Sequence, residues 1–266
     1  MCRCMDKLFV IKIGGNVLDN DSALESFLRD FASVGERKIL IHGGGKIATR
    51  LGEKLGIESK YINGRRITDA PTLDLVTMVY GGLVNKKIVS ALQNLKCNAL
   101  GVTGADGNLI RATKRPVREI DYGFVGDITA DGVNRKLLTT LLDETIVPVF
   151  APLTYADGVM LNTNADTIAS VLSVALSSRF DVRLIYCFEK KGVLENIENP
   201  LSVIHHLTKR SYEELLEKKA FADGILPKLE NAFGAIHAGV KEVLIGDAAD
   251  LLLNTGATTE GTLITA

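Results

Sequence analysis

Two apolar segments that run directly into glycines constrain the fold of this chain most strongly. Residues 9–13 precede Gly14 and Gly15, and residues 39–42 precede the glycines at 43–45. Each pattern predicts a buried strand that turns tightly into a helix. Glycine lets the backbone approach a ligand closely, and the unpaired N–H groups of a first helical turn favour an anion. Either turn alone could be a ligand-free connection, but their repetition favours an anion site.

Strand-like segments alternate with helical patterns along the rest of the chain. Strands are predicted at residues 8–13, 38–42, 98–103, 146–151, 182–188, 242–245 and 262–264. Helices are predicted near residues 23–31, 46–55, 70–95, 135–143, 166–176, 211–218 and 228–238. Asn63-Gly64 predicts a hairpin, and residues 108–131 predict a separate β region. This alternation indicates an α/β fold with a mostly parallel sheet that helices cover on both faces.

Composition narrows the class of protein. The 266 residues are 46% hydrophobic and carry a net charge of −1, which argues against a nucleic-acid or membrane-surface protein. No apolar run approaches a membrane span, and no signal core precedes the first strand, so a cytoplasmic protein is expected. Cys97 and Cys187 lie in apolar runs as core residues, whereas Cys2 and Cys4 lack a second pair at metal-ligand spacing.

Several polar residues stand where parallel strands or helices would expose them to a ligand. Lys12 ends an apolar strand, Lys228 follows a proline at a helix start, and Asp166 begins another helix. Lys12 could also be a solvated surface group, and Asp166 could be only a helix-start carboxylate. Arg66, just past the hairpin tip, could be a surface charge or a carboxylate clamp. His42 follows four apolar residues, which favours a core or supporting role over that of a base.

Eight motifs occur in the order seen in the N-acetylglutamate kinases, and the chain therefore resembles this branch of the amino acid kinase family over essentially its whole length. The motifs are Lys-Ile-Gly-Gly, His-Gly-Gly-Gly, Asn-Gly-Arg-Arg-Ile-Thr, Gly-Leu-Val-Asn-Lys-Lys, Gly-Ala-Asp-Gly-Asn-Leu-Ile, Gly-Phe-Val-Gly-Asp, Asn-Thr-Asn-Ala-Asp and Gly-Ile-Leu-Pro-Lys. The third and seventh are closest to the acylglutamate kinases, while the first and last mark the wider family.

The resemblance implies a three-layer αβα sandwich and phosphoryl transfer from ATP with Mg²⁺ to the side-chain carboxylate of N-acetyl-L-glutamate, a step of arginine biosynthesis. It also implies a homodimer. Residues 1–180 would form the acylglutamate-binding and dimerisation lobe, and residues 181–266 the ATP-binding lobe. No protein ligands for a metal ion are implied.

The same resemblance implies roles for individual residues. Lys12 and Lys228 would stabilise the transition state, and Asp166 would position them. Phosphoryl-binding residues would be Gly15 and Gly44, and substrate-binding residues would be Gly44, Gly45, Arg66, Asn162 and Asn164. Nucleotide-binding residues would be Glu189, Lys190, Gly192, Val193, Leu194, Phe221 and Ala222.

The sequence departs from the family pattern at two places, which affect the nucleotide contacts and the oligomeric state that the resemblance implies. Glu189 stands where these kinases usually have aspartate, so the family's nucleotide contact at this position is not carried over unchanged. Arginine-inhibited relatives carry an extra N-terminal helix that links dimers into a hexamer. Only seven residues precede Leu8, which predicts a dimer insensitive to arginine.

The sequence leaves several alternative functions to be weighed. The acyl group could be succinyl instead of acetyl, because it is a small part of the ligand, and free glutamate or aspartate is a further substrate class. A catalytically silent nucleotide or metabolite sensor would keep the same fold, although the retained Lys12, Asp166 and Lys228 argue against it. A dinucleotide-dependent oxidoreductase is disfavoured because the GxGxxG fingerprint is missing, and the P-loop motif is missing as well.

Overall fold

The computed structural model describes residues 5–196, 198–199, 202–217 and 226–266, without the side chain of Pro227. Within this part the strands are β1 Lys7–Ile13, β2 Arg37–His42, β3 Tyr61–Ile62, β4 Arg65–Arg66, β5 Ala99–Val102, β6 Thr113–Lys114, β7 Gly126–Asp127, β8 Val147–Phe150, β9 Leu153–Ala156, β10 Val159–Asn162, β11 Asp181–Phe188, β12 His206–Leu207, β13 Glu242–Asp247 and β14 Thr262–Ile264. The α-helices are α1 Gly15–Asp19, α2 Asp21–Ser33, α3 Gly45–Lys54, α4 Ala70–Val76, α5 Asn85–Asn94, α6 Arg135–Asp143, α7 Ala165–Leu176, α8 Lys209–Glu217, α9 Leu226–His237 and α10 Leu251–Thr255.

Eight strands form the central sheet in the order β12-β14-β13-β11-β1-β2-β8-β5. Parallel pairing joins β13, β11, β1, β2, β8 and β5, whereas β14 runs antiparallel to β13 and parallel to the edge strand β12. The sheet is therefore mostly parallel, as predicted. The chain enters it at β1, builds outward to β5 on one side, and then returns to β11 on the other side of β1.

Helices cover both faces of this sheet, which confirms the αβα sandwich. On β1, Phe9 and Ile11 point to one core, where they join Phe27 of α2. Leu8 and Val10 point to the other core, where they join Leu172 of α7. This alternation is the period of two expected for a strand, and it places Lys12 on the α7 side. No helix in the described part is long and apolar enough to cross a membrane.

Several local predictions are confirmed, and some features of the structure were not predicted. The Asn63-Gly64 hairpin forms between β3 and β4, with φ angles of 50° and 71°. The predicted helix from residue 70 contains a π-helical segment, Thr77–Val84, between α4 and α5. The β9–β10 hairpin was not predicted, although Asp157-Gly158 at its tip is a strong hairpin signal. Residues 108–131 do contain the expected β region, reduced to the short pair β6 and β7.

His42 is the last residue of β2 and is fully buried, in agreement with the core or supporting role that the sequence favoured. Its Nδ1 lies 2.7 Å from the Gly43 carbonyl oxygen, so this nitrogen carries the proton. The Asn85 amide then donates to His42 Nε2 at 3.2 Å and to the Val149 carbonyl at 2.9 Å. Burial, with a smaller effect from Lys86, lowers the pKa of His42 to about 4 against the opposing hydrogen bond to Gly43. The imidazole is therefore neutral at pH 7 and ties the glycine turn to α5 and β8.

We predict that His42 makes the fold sensitive to mild acid. Between pH 6.5 and about 4 the unfolded chain binds a proton at this residue and the folded chain does not, so stability falls as the pH is lowered. The slope contributed is at most about 1.4 kcal/mol per pH unit. Urea unfolding from pH 7 to pH 4.5 should show a weaker pH dependence in His42→Gln than in the wild type. His206→Gln, at an exposed position, is the control, and equal slopes for His42→Gln and wild type would contradict the prediction.

Candidate active site

The candidate site lies where the strand order reverses, beyond the carboxyl ends of β1 and β2. Open α/β sheets bind ligands at such a switch point. Both glycine turns identified in the sequence are here, since Gly14 precedes α1 and Gly44 precedes α3. Neither helix start has a capping side chain, so its first N–H groups are available to an anion.

Gly44 can be no other residue without strain. Its φ angle is 152°, which L-amino acids rarely adopt, and a Cβ here would lie 2.8 Å from Cδ1 of Tyr80. Tyr80 belongs to the unpredicted π-helical segment and lies under the turn. Because Gly44 has no side chain, Tyr80 packs closely against the backbone at the start of α3. The same backbone also lines a cavity.

Lys12, Asp166 and Lys228 come together at this edge of the sheet from three different elements. Lys12 Nζ of β1 lies 2.8 Å from Asp166 Oδ1, and Lys228 Nζ of α9 lies 3.4 Å from Asp166 Oδ2. All three side chains are largely buried, with 14%, 22% and 24% exposure for Lys12, Asp166 and Lys228. One carboxylate therefore holds two ammonium groups together beside the Gly14 turn, with a net charge of +1.

The two lysines also fix the ionisation of Asp166. Burial alone would raise the pKa of this carboxyl group, but the charges and hydrogen bonds of Lys12 and Lys228 together hold its pKa below the ordinary value of 3.8. Asp166 is therefore ionised at neutral pH and unsuited to act as a general acid. Its position in the first turn of α7, which Asn164 caps by accepting from the Thr167 N–H at 3.0 Å, suits a negative charge.

Arg66 is a buried side chain, 6% exposed, and not a surface charge. Its Nη2 donates to the Gly45 carbonyl at 2.9 Å and to Thr49 Oγ1 at 3.0 Å. Nη1 donates to the Ser59 hydroxyl, and the guanidinium carbon lies 4.8 Å from the Tyr61 ring centroid. These neighbours are neutral, and among the described residues no carboxylate is paired with this cation, so it can bind an anionic ligand.

A cavity of about 250 Å³ adjoins Arg66 and the second glycine turn, and its walls also include Ala165 and Thr167, the two chain neighbours of Asp166. Its walls include the predicted substrate residues Gly44, Gly45, Arg66, Asn162 and Asn164. Asn162 is oriented by donating to Thr68 Oγ1 at 3.0 Å. Other wall residues were not identified from the sequence, namely Arg65, Tyr80, Arg115 and Asp127. Arg115 and Asp127 form an ion pair across the β6–β7 region, which only the tertiary structure brings together.

The predicted nucleotide-binding stretch follows β11. Glu189 and Lys190 are exposed, and Glu189 also lines a small cavity beside Asp247. Val193 is buried, with its N–H donating to Thr262 Oγ1 at 2.8 Å and its carbonyl accepting from the Ile204 N–H.

The remaining nucleotide-binding predictions concern four residues. Gly192 is closely packed, since a Cβ there would lie 2.7 Å from Thr262 Oγ1, and Leu194 forms an isolated bridge with Val203. Phe221 and Ala222 lie outside the described residues. The nucleotide contacts of the whole set stay predictions.

Comparison with known proteins gives matches over nearly the whole chain. An acetylglutamate kinase of Cytophaga hutchinsonii is 55% identical over 250 residues, which cover 93% of this chain and 94% of that protein. An acetylglutamate kinase of Bacteroides thetaiotaomicron is 54% identical over 252 residues, covering 94% and 97% respectively. A more distant acetylglutamate kinase of Methanopyrus kandleri is 41% identical over 252 residues, with 93% and 98% coverage.

Solved structures show the same architecture. The protein smu.665 from Streptococcus mutans superposes with a TM-score of 0.76 at 32% identity, covering 97% of this chain and 98% of that chain. Carbamate kinase from Giardia lamblia bound to AMP-PNP has a TM-score of 0.71 at 15% identity, with 100% and 99% coverage, and this likeness concerns the fold alone. The sequence pattern of the amino acid kinase family matches residues 7–247. With these matches and the shared architecture, the chain belongs to the amino acid kinase family.

Proposed function

We propose that this chain transfers the γ-phosphoryl group of ATP to the side-chain carboxylate of N-acetyl-L-glutamate, giving N-acetyl-L-glutamyl 5-phosphate and ADP in the cytoplasmic synthesis of arginine. The observation that carries the proposal is the Lys12–Asp166–Lys228 cluster beside two uncapped helix starts and the Arg66 cavity. Relatives more than 50% identical are named acetylglutamate kinases, which supports the same reaction here.

The chemistry of this reaction suits the groups in the cleft. The nucleophile is a carboxylate with an ordinary pKa near 4.3, so it is already ionised at neutral pH and needs no general base. The oxygen attacks the γ-phosphorus as the bond to the β-phosphate oxygen breaks, and ADP carries away the electron pair. The barrier is the approach of two anions, which Lys12, Lys228 and the N–H groups at Gly15, Gly44 and Gly45 would lower.

The proposed division of labour follows the two halves of the sheet. Residues 1–180 would hold the acylglutamate, with the α-carboxylate on Arg66 and its other polar groups near Asn162 and Asn164. Residues 181–266 would hold ATP near Glu189 to Leu194. Lys12 and Lys228, which come from opposite halves, would then meet at the phosphoryl group in transfer.

Mg²⁺ would enter with the nucleotide. No group of three or more His, Cys, Asp or Glu residues in the described ranges could hold a metal ion by itself. Asp166, the carboxylate nearest the phosphoryl position, is already paired with two lysines. The phosphate oxygens of ATP would therefore provide most ligands, and Mg²⁺ would neutralise part of their charge.

The reaction is tested by measuring acyl phosphate and ADP together. Purified protein is incubated with MgATP, hydroxylamine and, in turn, N-acetylglutamate, glutamate and aspartate. We expect hydroxamate and ADP in equal amounts with N-acetylglutamate and little with the free amino acids. Tight binding of acylglutamate and ATP without turnover would overturn the proposed reaction and favour a sensor.

We predict that Lys12 and Lys228 act on the transition state. Lys12→Gln and Lys228→Gln should each lower kcat by about 100-fold or more, because fixed charge on a developing anion is worth that much, while KM changes little. Steady-state kinetics with Lys87→Gln as the control, an exposed lysine paired with Asp21, checks this. A variant with wild-type kcat would remove that lysine from the proposed mechanism.

We predict that Arg66 mainly binds the ground-state substrate. Arg66→Gln should raise KM for the acylglutamate by about tenfold or more, since one charge-assisted hydrogen-bonding group is lost, and KM for ATP should change little. Arg50→Gln on α3, an exposed residue paired with Asp19, is the control. Equal increases in both KM values would indicate general disruption of the site instead.

The homodimer implied by the family resemblance has a candidate surface at one edge of the sheet. The apolar side chains of Met78, Leu83 and Leu100 are exposed on the π-helical segment and on the edge strand β5. Such side chains near an uncovered strand edge favour association with another chain.

We predict that a charge at this edge disrupts the dimer. Wild type should sediment as a dimer and Leu83→Glu as a monomer, because the new carboxylate would be desolvated at the interface. Leu216→Glu, at an exposed position on α8, is the control and should remain dimeric. A monomeric wild type, or a dimeric Leu83→Glu, would show that this edge is not the interface.

A further inference from the structure

A second cavity, of about 620 Å³, adjoins the proposed substrate cavity. The two cavities share Arg65, Arg115 and Asp127 as wall residues. Arg118 and Tyr122 line only the second cavity. These shared side chains therefore form the boundary between the two cavities, where a group that extends from a ligand in the first cavity would meet them.

The walls of the second cavity carry more positive than negative charge. Three arginines, Arg65, Arg115 and Arg118, line it against two carboxylates, those of Glu119 and Asp127. Asp127 pairs with Arg115, with its Oδ1 3.0 Å from Nε and 2.5 Å from Nη2. In the described ranges no ion pair involves Arg65 or Arg118. Their charges are therefore available to an anion.

This wall is built into the fold. The Thr68 N–H donates to the Tyr122 carbonyl at 2.9 Å, and the Phe124 N–H donates to the Thr68 carbonyl at 2.7 Å. Gly123 between them has a φ angle of 74°, and a Cβ there would lie 2.2 Å from the Thr68 carbonyl oxygen. The Arg115 guanidinium lies 5.4 Å from the Tyr122 ring centroid, a cation–π contact that favours this position of the guanidinium. The arginines are thus presented on a fixed segment beside the hairpin that carries Arg66.

The charges of an N-acylglutamate do not account for these arginines. Such a ligand has two carboxylates, of which the proposed function assigns one to Arg66 and the other to the phosphoryl-transfer position. An acetyl group ends in a methyl group, which gains nothing from a cationic wall. A succinyl group adds one methylene and a terminal carboxylate, which is the chemistry that arginine binds in a directed way.

We propose that the second cavity is a subsite for an acyl group that ends in a carboxylate, so that N-succinyl-L-glutamate is a substrate whose distal carboxylate binds Arg65, Arg115 and Arg118. This inference rests on the proposed function, because it names the acyl group of the same substrate. Arg65 and Arg118 are specificity-determining residues in this arrangement, while Arg115 is both a ligand and a structural partner of Asp127.

The test compares kcat/KM for N-succinylglutamate with kcat/KM for N-acetylglutamate in the wild type, Arg65→Gln and Arg118→Gln. Both substitutions lie at exposed positions, so the fold should be retained. Arg111→Gln is the matched control, since Arg111 lies in the same β region but outside the walls of both cavities. We expect the wild type to use N-succinylglutamate at least as well as N-acetylglutamate. The succinyl-to-acetyl ratio should fall by about tenfold in each cavity variant and stay at the wild-type value in Arg111→Gln.

The outcomes separate the two proposals. The acyl subsite is overturned if the wild type turns over N-acetylglutamate with a succinyl-to-acetyl ratio of kcat/KM below about one tenth. It is also overturned if Arg65→Gln and Arg118→Gln leave this ratio unchanged. In both cases the proposed kinase reaction still stands. Absence of turnover with both acylglutamates overturns the proposed reaction, and the subsite with it.

Discussion

The burial of one carboxylate between two lysines is the interaction on which the site depends. Asp166 can remain ionised in a largely buried position only because Lys12 and Lys228 compensate its charge. The compensation works in both directions, since the carboxylate also keeps two ammonium groups close together in spite of their repulsion. Three elements, β1, α7 and α9, are thereby joined at their ends by charge as well as by packing.

The sheet provides the frame for this cluster. Lys12 lies two residues after Val10 and four after Leu8, so its side chain points to the same face of β1, which α7 and α9 cover. A shift of the register by one residue would turn Lys12 toward the opposite core, away from Asp166. The parallel pairing of β1 with both β2 and β11 excludes that shift, and it brings both glycine turns to the same edge.

The repeating strands and helices, the glycine turns and the Asn63-Gly64 hairpin could be predicted from the sequence because each is specified by neighbouring residues. The antiparallel β14 and the π-helical segment could not, since their hydrogen bonding depends on distant partners. In the site, residue types alone left Lys12, Asp166 and Arg66 open between surface and functional positions, and only the family resemblance grouped them. Arg115 was missed because its partner Asp127 and the cavity that both line exist only in the folded chain.

The pairing of β1 with β11 has a mechanical consequence. These two strands meet at seven consecutive register positions, from Lys7 opposite Asp181 to Ile13 opposite Cys187, and the join between the two halves of the sheet is this ladder. A rigid-body opening of one half from the other would break a continuous row of backbone hydrogen bonds in the centre of the molecule. The strand that carries Lys12 is therefore held to β11 along its whole length, and a displacement of β1 away from β11 is opposed by all of these bonds at once.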